Sequence, residues 1–180
     1  MNEKDIRKKR QKEVSKAGRD KEEEVINLLL SDNEIFENFL IGHPSQIMSN
    51  LEPLYIQYGK EKAMIDADIC VVRKSDNKLI CVISVKKSFR ERGGQTAYWA
   101  VKVKEHNKDY RYILATPDVD KELFKTEELE KKPKKKRKWR IILPYECDAV
   151  FVYSYAGKVY KENNFYVGEE YLKEYIKKLF

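Results

Sequence analysis

Apolar positions in this chain change period along its length, and the changes mark out its elements. Residues 1–30 read as helix, in one piece or two. Lys4 to Arg19 is mostly charged, and a helical apolar pattern begins at Val25, Ile26, Leu28, Leu29 and Leu30. Between 31 and 50 the loop residues Ser31-Asp32-Asn33, Gly42 and Pro44 flank an apolar piece from Ile35 to Ile41, and Leu54 to Tyr58 has the character of a strand. Asp68-Ile-Cys-Val-Val72 and Leu79-Ile-Cys-Val-Ile-Ser-Val-Lys86 enclose the polar turn Lys74-Ser-Asp-Asn77, a β-hairpin pattern. Both arms are apolar on both faces over most of their length, as in the centre of a covered sheet.

Beyond Gly93-Gly94 the pattern predicts a helix over 95–105 and a strand over 110–115, which Thr116-Pro117-Asp118 ends. An amphipathic helix is expected over 119–130, strands over 139–143 and 149–155, and a closing helix over 169–180. The run Lys131-Lys-Pro-Lys-Lys-Lys-Arg-Lys138 cannot pack and is expected to be a loop or arm. No internal repeat is present. This order describes one α/β domain spanning 1–180, with a charged helix over 1–20 and a central mixed β-sheet flanked by helices on both faces.

Composition narrows the function classes. Hydrophobic residues make up 42% of the 180, with 12 Tyr and 7 Phe, enough for a packed core. The formal charge of +7 suits a polyanionic partner, as it suits many soluble proteins. Cys70, Cys81 and Cys147 lie in apolar runs without a C-x-x-C pair, so they read as buried thiols in a reducing cytoplasm. With only His43 and His106, a His-rich metal centre is excluded. No stretch approaches a membrane span, and the charged amino terminus does not resemble a secretory signal.

Pairing the hairpin about its turn gives partners that sum to about 152, which sets Asp68 across from Ser84 and puts Lys86 one same-face step beyond. A carboxylate and an ammonium thus meet at the end of two apolar strands. The pair fits a surface ion pair where the strands leave the core. It equally fits a Mg²⁺ site, since hard cations take one or two carboxylates plus phosphate oxygens, and a lysine can orient water or stabilise charge on the phosphoryl group.

These residues resemble the PD-(D/E)xK nuclease superfamily and its restriction-endonuclease-like core. The likeness runs over roughly 18–116: Gly18-x-x-x-Glu22-x-x-Val25, then Asp68-Ile-Cys-Val-Val, then Ser84-Val-Lys86. The segment Lys87-Ser-Phe-Arg-Glu-Arg-Gly-Gly-Gln95 is similar to the stretch after the catalytic lysine in a group of type II restriction endonucleases. The resemblance implies Mg²⁺-dependent hydrolysis of double-stranded DNA at a specific sequence by a homodimer. It implies catalytic residues Asp68, Ser84, Lys86, Glu91 and Glu22, and metal binding by Asp68, Val85 and Glu91. Ser84 stands where the family has Asp or Glu and Ala67 where it often has Pro. Some relatives with Ser-x-Lys recruit a glutamate from a neighbouring helix; here Glu91 is favoured, with Glu105, Glu22 and Glu24 as other sources. Asp66, Asp118 and Asp148 are rivals to Asp68.

For DNA contact, Arg90, Arg92, Gln95 and Lys87 flank the proposed centre, and Lys134, Lys135, Lys136 and Arg137 supply an electrostatic arm. Tyr98 and Trp99 read as core. A structure-directed, junction-resolvase-like nuclease uses the same chemistry. The reading from another class is a non-catalytic nucleic-acid-binding protein in which Ser84 marks lost activity.

Overall fold

A computed structural model describes residues 3–89, 92–106, 108–130 and 135–180. Helix α1 (Glu3–Leu30) runs into the short α2 (Asn33–Asn38), whose first amides are capped by Asp32. Strand β1 (Phe39–Gly42), a turn of helix α3 (Pro44–Ile47) and the two-stranded ribbon β2 (Tyr55–Tyr58) and β3 (Glu61–Met64) follow. The central hairpin is β4 (Ile69–Arg73) and β5 (Lys78–Val85). After it come α4 (Arg92–Glu105), β6 (Arg111–Thr116), α5 (Lys138–Glu146), β7 (Ala149–Val152), β8 (Tyr160–Glu162), β9 (Phe165–Val167) and α6 (Glu169–Lys177).

Seven strands form one mixed sheet in the order β1-β4-β5-β6-β7-β9-β8. The pairs β1–β4, β4–β5 and β8–β9 are antiparallel, whereas β5, β6, β7 and β9 run parallel. β5 sits near the middle, and every residue from Leu79 to Val85 is buried because both faces are covered. On one face Val25, Ile26 and Leu29 of α1 and Leu172 and Ile176 of α6 meet Ile69, Val71, Cys81, Ile83 and Val85. On the other, Ala100 and Val103 of α4, Leu143 of α5 and Leu54, Ile56 and Ile65 around the ribbon meet Cys70, Val72, Val82 and Tyr112. The helix-flanked mixed sheet expected from the sequence is thus observed, and all three cysteines are buried free thiols.

The hairpin register has the expected sum of 152 from Ile69↔Ile83 through Val71↔Cys81. A bulge at Ile80 then shifts it by one toward the turn, where Asn77 adopts φ 59°. The helix expected over 95–105 starts three residues earlier, at Arg92. The last expected helix is present from Glu169, and the strand expected over 149–155 ends at Val152. No helix among the described residues is long and apolar enough to cross a membrane.

Two expectations are corrected. The segment 139–143 is not a strand but the first half of α5: Arg140 and Leu143 are buried while Ile141 is exposed, a helical spacing. Trp139 finds room for its indole against Gly93 of α4, where an added Cβ would lie 2.5 Å from the ring. The segment 119–130 is no amphipathic helix; only Thr126–Leu129 makes a 3-10 turn. Pro117 precedes it, Asp118 and Lys121 adopt φ 51° and 52°, and the Asp118 carboxylate takes the amides of Glu122, Leu123 and Phe124 that a helix would direct to carbonyls. Strands β1 and β8 are short edges of the sheet, β3 belongs to the ribbon, and β9 is a three-residue strand between β7 and β8, all too short to show a strong alternating pattern.

The Gly93–Trp139 contact gives an expected sign. Alanine is favoured over glycine inside a helix by roughly 1 kcal/mol, and overpacking typically costs about 1–3 kcal/mol. Gly93→Ala is therefore expected to lower stability in chemical denaturation. Gly94→Ala, whose Cβ would have its nearest contact at 3.8 Å, is expected to raise it. Equal effects of the two changes would contradict the packing.

Candidate active site

Asp68 lies just before β4, at the end of the sheet where β5 finishes. Its Oδ2 accepts a hydrogen bond of 2.7 Å from the Val85 amide and another of 2.7 Å from Lys86 Nζ. Asp66 Oδ2 stands 2.9 Å from the same ammonium, in ion-pair contact but without hydrogen-bond alignment. The Lys86 main chain continues the parallel ladder by donating to Ala115 O. Its side chain is only 6% exposed. Burial drives Lys86 toward its neutral form, but Asp68 and Asp66 overcome that and raise its pKa above the ordinary lysine value. Asp66 and Asp68 thus act on one lysine together, where the sequence offered them as alternatives.

Glu22, on α1, faces the same place. Burial raises its pKa, repulsion from Asp68 adds to the rise, and His43, Lys86 and Arg19 oppose it. His43, which the sequence did not single out for this centre, joins the parts. Its Nδ1 is 3.1 Å from Asp68 O and 3.5 Å from Glu22 Oε2, and its Nε2 is 3.2 Å from Glu23 Oε1. No local pattern announces this role; the nearest cue is its position immediately before Pro44, at the turn between β1 and α3.

Ser84 is fully buried on the same face as Asp68. Val85 contributes its amide to Asp68. Lys87 is exposed just beyond the strand, and Arg92 and Gln95 are exposed in the first turn of α4. Arg90, Glu91 and Lys134 lie outside the described residues. Lys135 is exposed; Lys136 pairs with Glu162 at 2.7 Å; Arg137 donates to Lys121 O and sits 3.6 Å from Glu122.

The remaining rivals have other work. Glu105 pairs with Lys102 at the far end of α4, about 20 Å along the helix from Arg92. Glu24 is exposed and pairs with Lys21 at 2.5 Å. Asp148 accepts from the Tyr112 amide and pairs with Arg111. Asp118 shapes its own loop. Tyr98 is exposed rather than core, with its hydroxyl 2.8 Å from that of Tyr58, while Trp99 packs against the core.

A hard divalent cation fits this arrangement. Two carboxylates from different elements, Asp68 and Glu22, repel one another, and Asp68 Oδ1 accepts no hydrogen bond among the described residues. No three His, Cys, Asp or Glu side chains among the described residues form a ready cage. Mg²⁺ requires only one or two protein carboxylates and completes its shell from water and phosphate.

Asp118 supplies a pH test of its assigned role in the loop. Burial raises its pKa from 3.8 to about 6, against the pull of its amide donors. The folded state therefore holds that proton more tightly than the unfolded chain. Its stability should fall by up to about 3 kcal/mol as pH rises from 4 to 6, then level off. Urea unfolding of the wild type relative to Asp118→Asn should show that decline. A difference flat across the window would contradict it.

Comparison with known proteins identifies the family. A family model described as BsaWI restriction endonuclease type 2 matches residues 46–172. The curated protein "Putative type II restriction enzyme MjaVIP" of Methanocaldococcus jannaschii is 44% identical over 101 residues, covering 53% of this chain and 42% of that protein. "Probable type II restriction enzyme HpyAORF263P" of Helicobacter pylori is 31% identical over 125 residues, covering 63% of this chain and 64% of that one. The chain thus spans less than two thirds of the length of these relatives. A crystal structure of the pre-specific restriction endonuclease BsaWI–DNA complex shares the fold, with TM-score 0.58 and 15% identity, over 99% of this chain and 68% of that one. With the family model covering more than half of its residues, this chain belongs to the BsaWI type II restriction endonuclease family.

Proposed function

We propose that this chain is a Mg²⁺-dependent endonuclease that hydrolyses phosphodiester bonds at a specific double-stranded DNA sequence and works as a homodimer. The observation that carries the reading is Lys86, buried and charged at the end of β5, with Asp68 joined to it and Glu22 opposite. Membership of a restriction endonuclease family and the DNA complex of the BsaWI enzyme support DNA as the substrate. A two-fold protein matches a palindromic site and cuts both strands.

Asp68 would hold the cation, with Glu22 or Glu91 as the second acid in place of Ser84. Bound there, the cation would supply positive charge against the phosphate oxygens and favour ionisation of water. Lys86, fixed by Asp68 and Asp66, would orient the attacking water and face the charge that grows on the phosphoryl oxygens. The water oxygen bonds to phosphorus as the P–O bond to the leaving group breaks, and the leaving oxygen takes up a proton. Lys87, Arg92 and Gln95, exposed beyond the end of β5, would contact the duplex. Lys135, Lys136 and Arg137 add backbone contacts, of which the last two must first exchange exposed ion pairs, each worth about 1 kcal/mol or less.

Plasmid DNA incubated with Mg²⁺ should yield discrete fragments. Smearing or nicking would indicate a non-specific or structure-directed nuclease, and no cleavage with any divalent metal would remove the enzymatic reading. Lys86→Ala should abolish cleavage while DNA binding in Ca²⁺ persists. Normal cleavage by that variant would place the centre elsewhere.

A further inference from the structure

Between Lys86 and α4 the chain passes through Lys87-Ser88-Phe89, which has left the strand and whose amides and carbonyls need partners outside the ladder. The loop after β6 provides them. Val119 N donates to Lys87 O at 3.3 Å, and the Asp120 carboxylate accepts from Phe89 N at 2.9 Å. Phe89 O in turn accepts from Gly93 N, so the residue held by Asp120 also opens α4, while its ring is fully buried. The loop is itself tightly built. Asp118 Oδ atoms take the amides of Glu122, Leu123 and Phe124, Thr116 Oγ1 takes the Asp118 amide, and Asp118 and Lys121 hold positive φ. On its far side Arg137 donates to Lys121 O, which ties the end of the basic run to the same loop.

The geometry points to Asp120 as a positioning residue of the nuclease centre. Its carboxylate fixes Phe89 and thereby the relative placement of Lys86, at the end of β5, and of Arg92 and Gln95, at the start of α4. Among the described residues the Asp120 side chain takes one hydrogen bond, from the Phe89 amide, and its effect on the centre passes through that bond. A small displacement of such a frame is costly, because catalysis depends on near-ångström placement of the reacting groups. The hydrogen bond from Arg137 to Lys121 O ties the end of the basic run to the same loop.

The inference rests on the endonuclease reading above, and the following experiment separates the two. Single-turnover cleavage of plasmid DNA in Mg²⁺ and DNA binding in Ca²⁺ are measured for wild type, Asp120→Ala and Asp120→Asn, with melting temperatures for each. Asp120→Ala removes the acceptor and should slow cleavage by roughly tenfold to a hundredfold, with binding within about threefold of wild type. Asp120→Asn keeps a carbonyl oxygen for the Phe89 amide and should recover most of the rate. Asp120→Ala cleaving at the wild-type rate would overturn the inference alone. Asp120→Asn as slow as Asp120→Ala would also overturn it, since the charge and not the hydrogen bond would then matter. An Asp120→Ala chain that fails to fold would show a structural support instead. A wild type that does not cleave would remove the endonuclease reading, and this inference with it.

Discussion

One carboxylate oxygen, Asp68 Oδ2, joins the parts on which the proposed chemistry depends. It takes the amide of Val85 and the ammonium of Lys86, each at 2.7 Å, and so closes the mouth of the β4–β5 hairpin at the end where both strands leave the core. A buried ammonium is costly unless it is well paired, and here two carboxylates meet it. Lys86 therefore has one place to be. Its position is fixed by the buried strand β5 below and by Asp66 and Asp68 beside it.

That arrangement was legible in the sequence because a hairpin has simple arithmetic. A polar turn between two apolar runs sets the register, and the register brings Asp68 and Lys86 together before any family is considered. The bulge at Ile80 could have spoiled the sum, but it falls on the turn side and leaves the end near Asp68 unshifted. The parts contributed by distant elements were less legible. Glu22 was marked by resemblance, and only the packing of α1 against the sheet brings it near Asp68. His43 was not marked at all, because its contacts join residues 20 and 25 positions away.

The misread elements have a common physical cause. Trp139 to Leu143 is rich in β-formers, yet its partner is a helix with a glycine at the point of contact, and tertiary packing overrides local propensity there. Residues 119–130 carry a helical pattern, but Pro117 and the Asp118 side chain claim the amides at its start. What replaces the expected helix is a hydrogen-bonded loop whose Asp120 reaches the segment following Lys86. In the proposed reading, the loop that replaces a regular element at that end of β6 supports the site.

Ser84 remains the departure that shapes the chemistry. A buried hydroxyl carries no charge and cannot stand in for an anionic ligand, so under the proposed reading a cation held here would depend on Asp68 and on an acid from another element. Calorimetric titration of Mn²⁺ into the protein, comparing wild type with Asp68→Asn and Glu22→Gln, tests that dependence directly. Binding weakened by roughly tenfold or more in Asp68→Asn, with a smaller loss in Glu22→Gln, is the expected result. Unchanged Mn²⁺ affinity in Asp68→Asn would contradict the assignment of the centre.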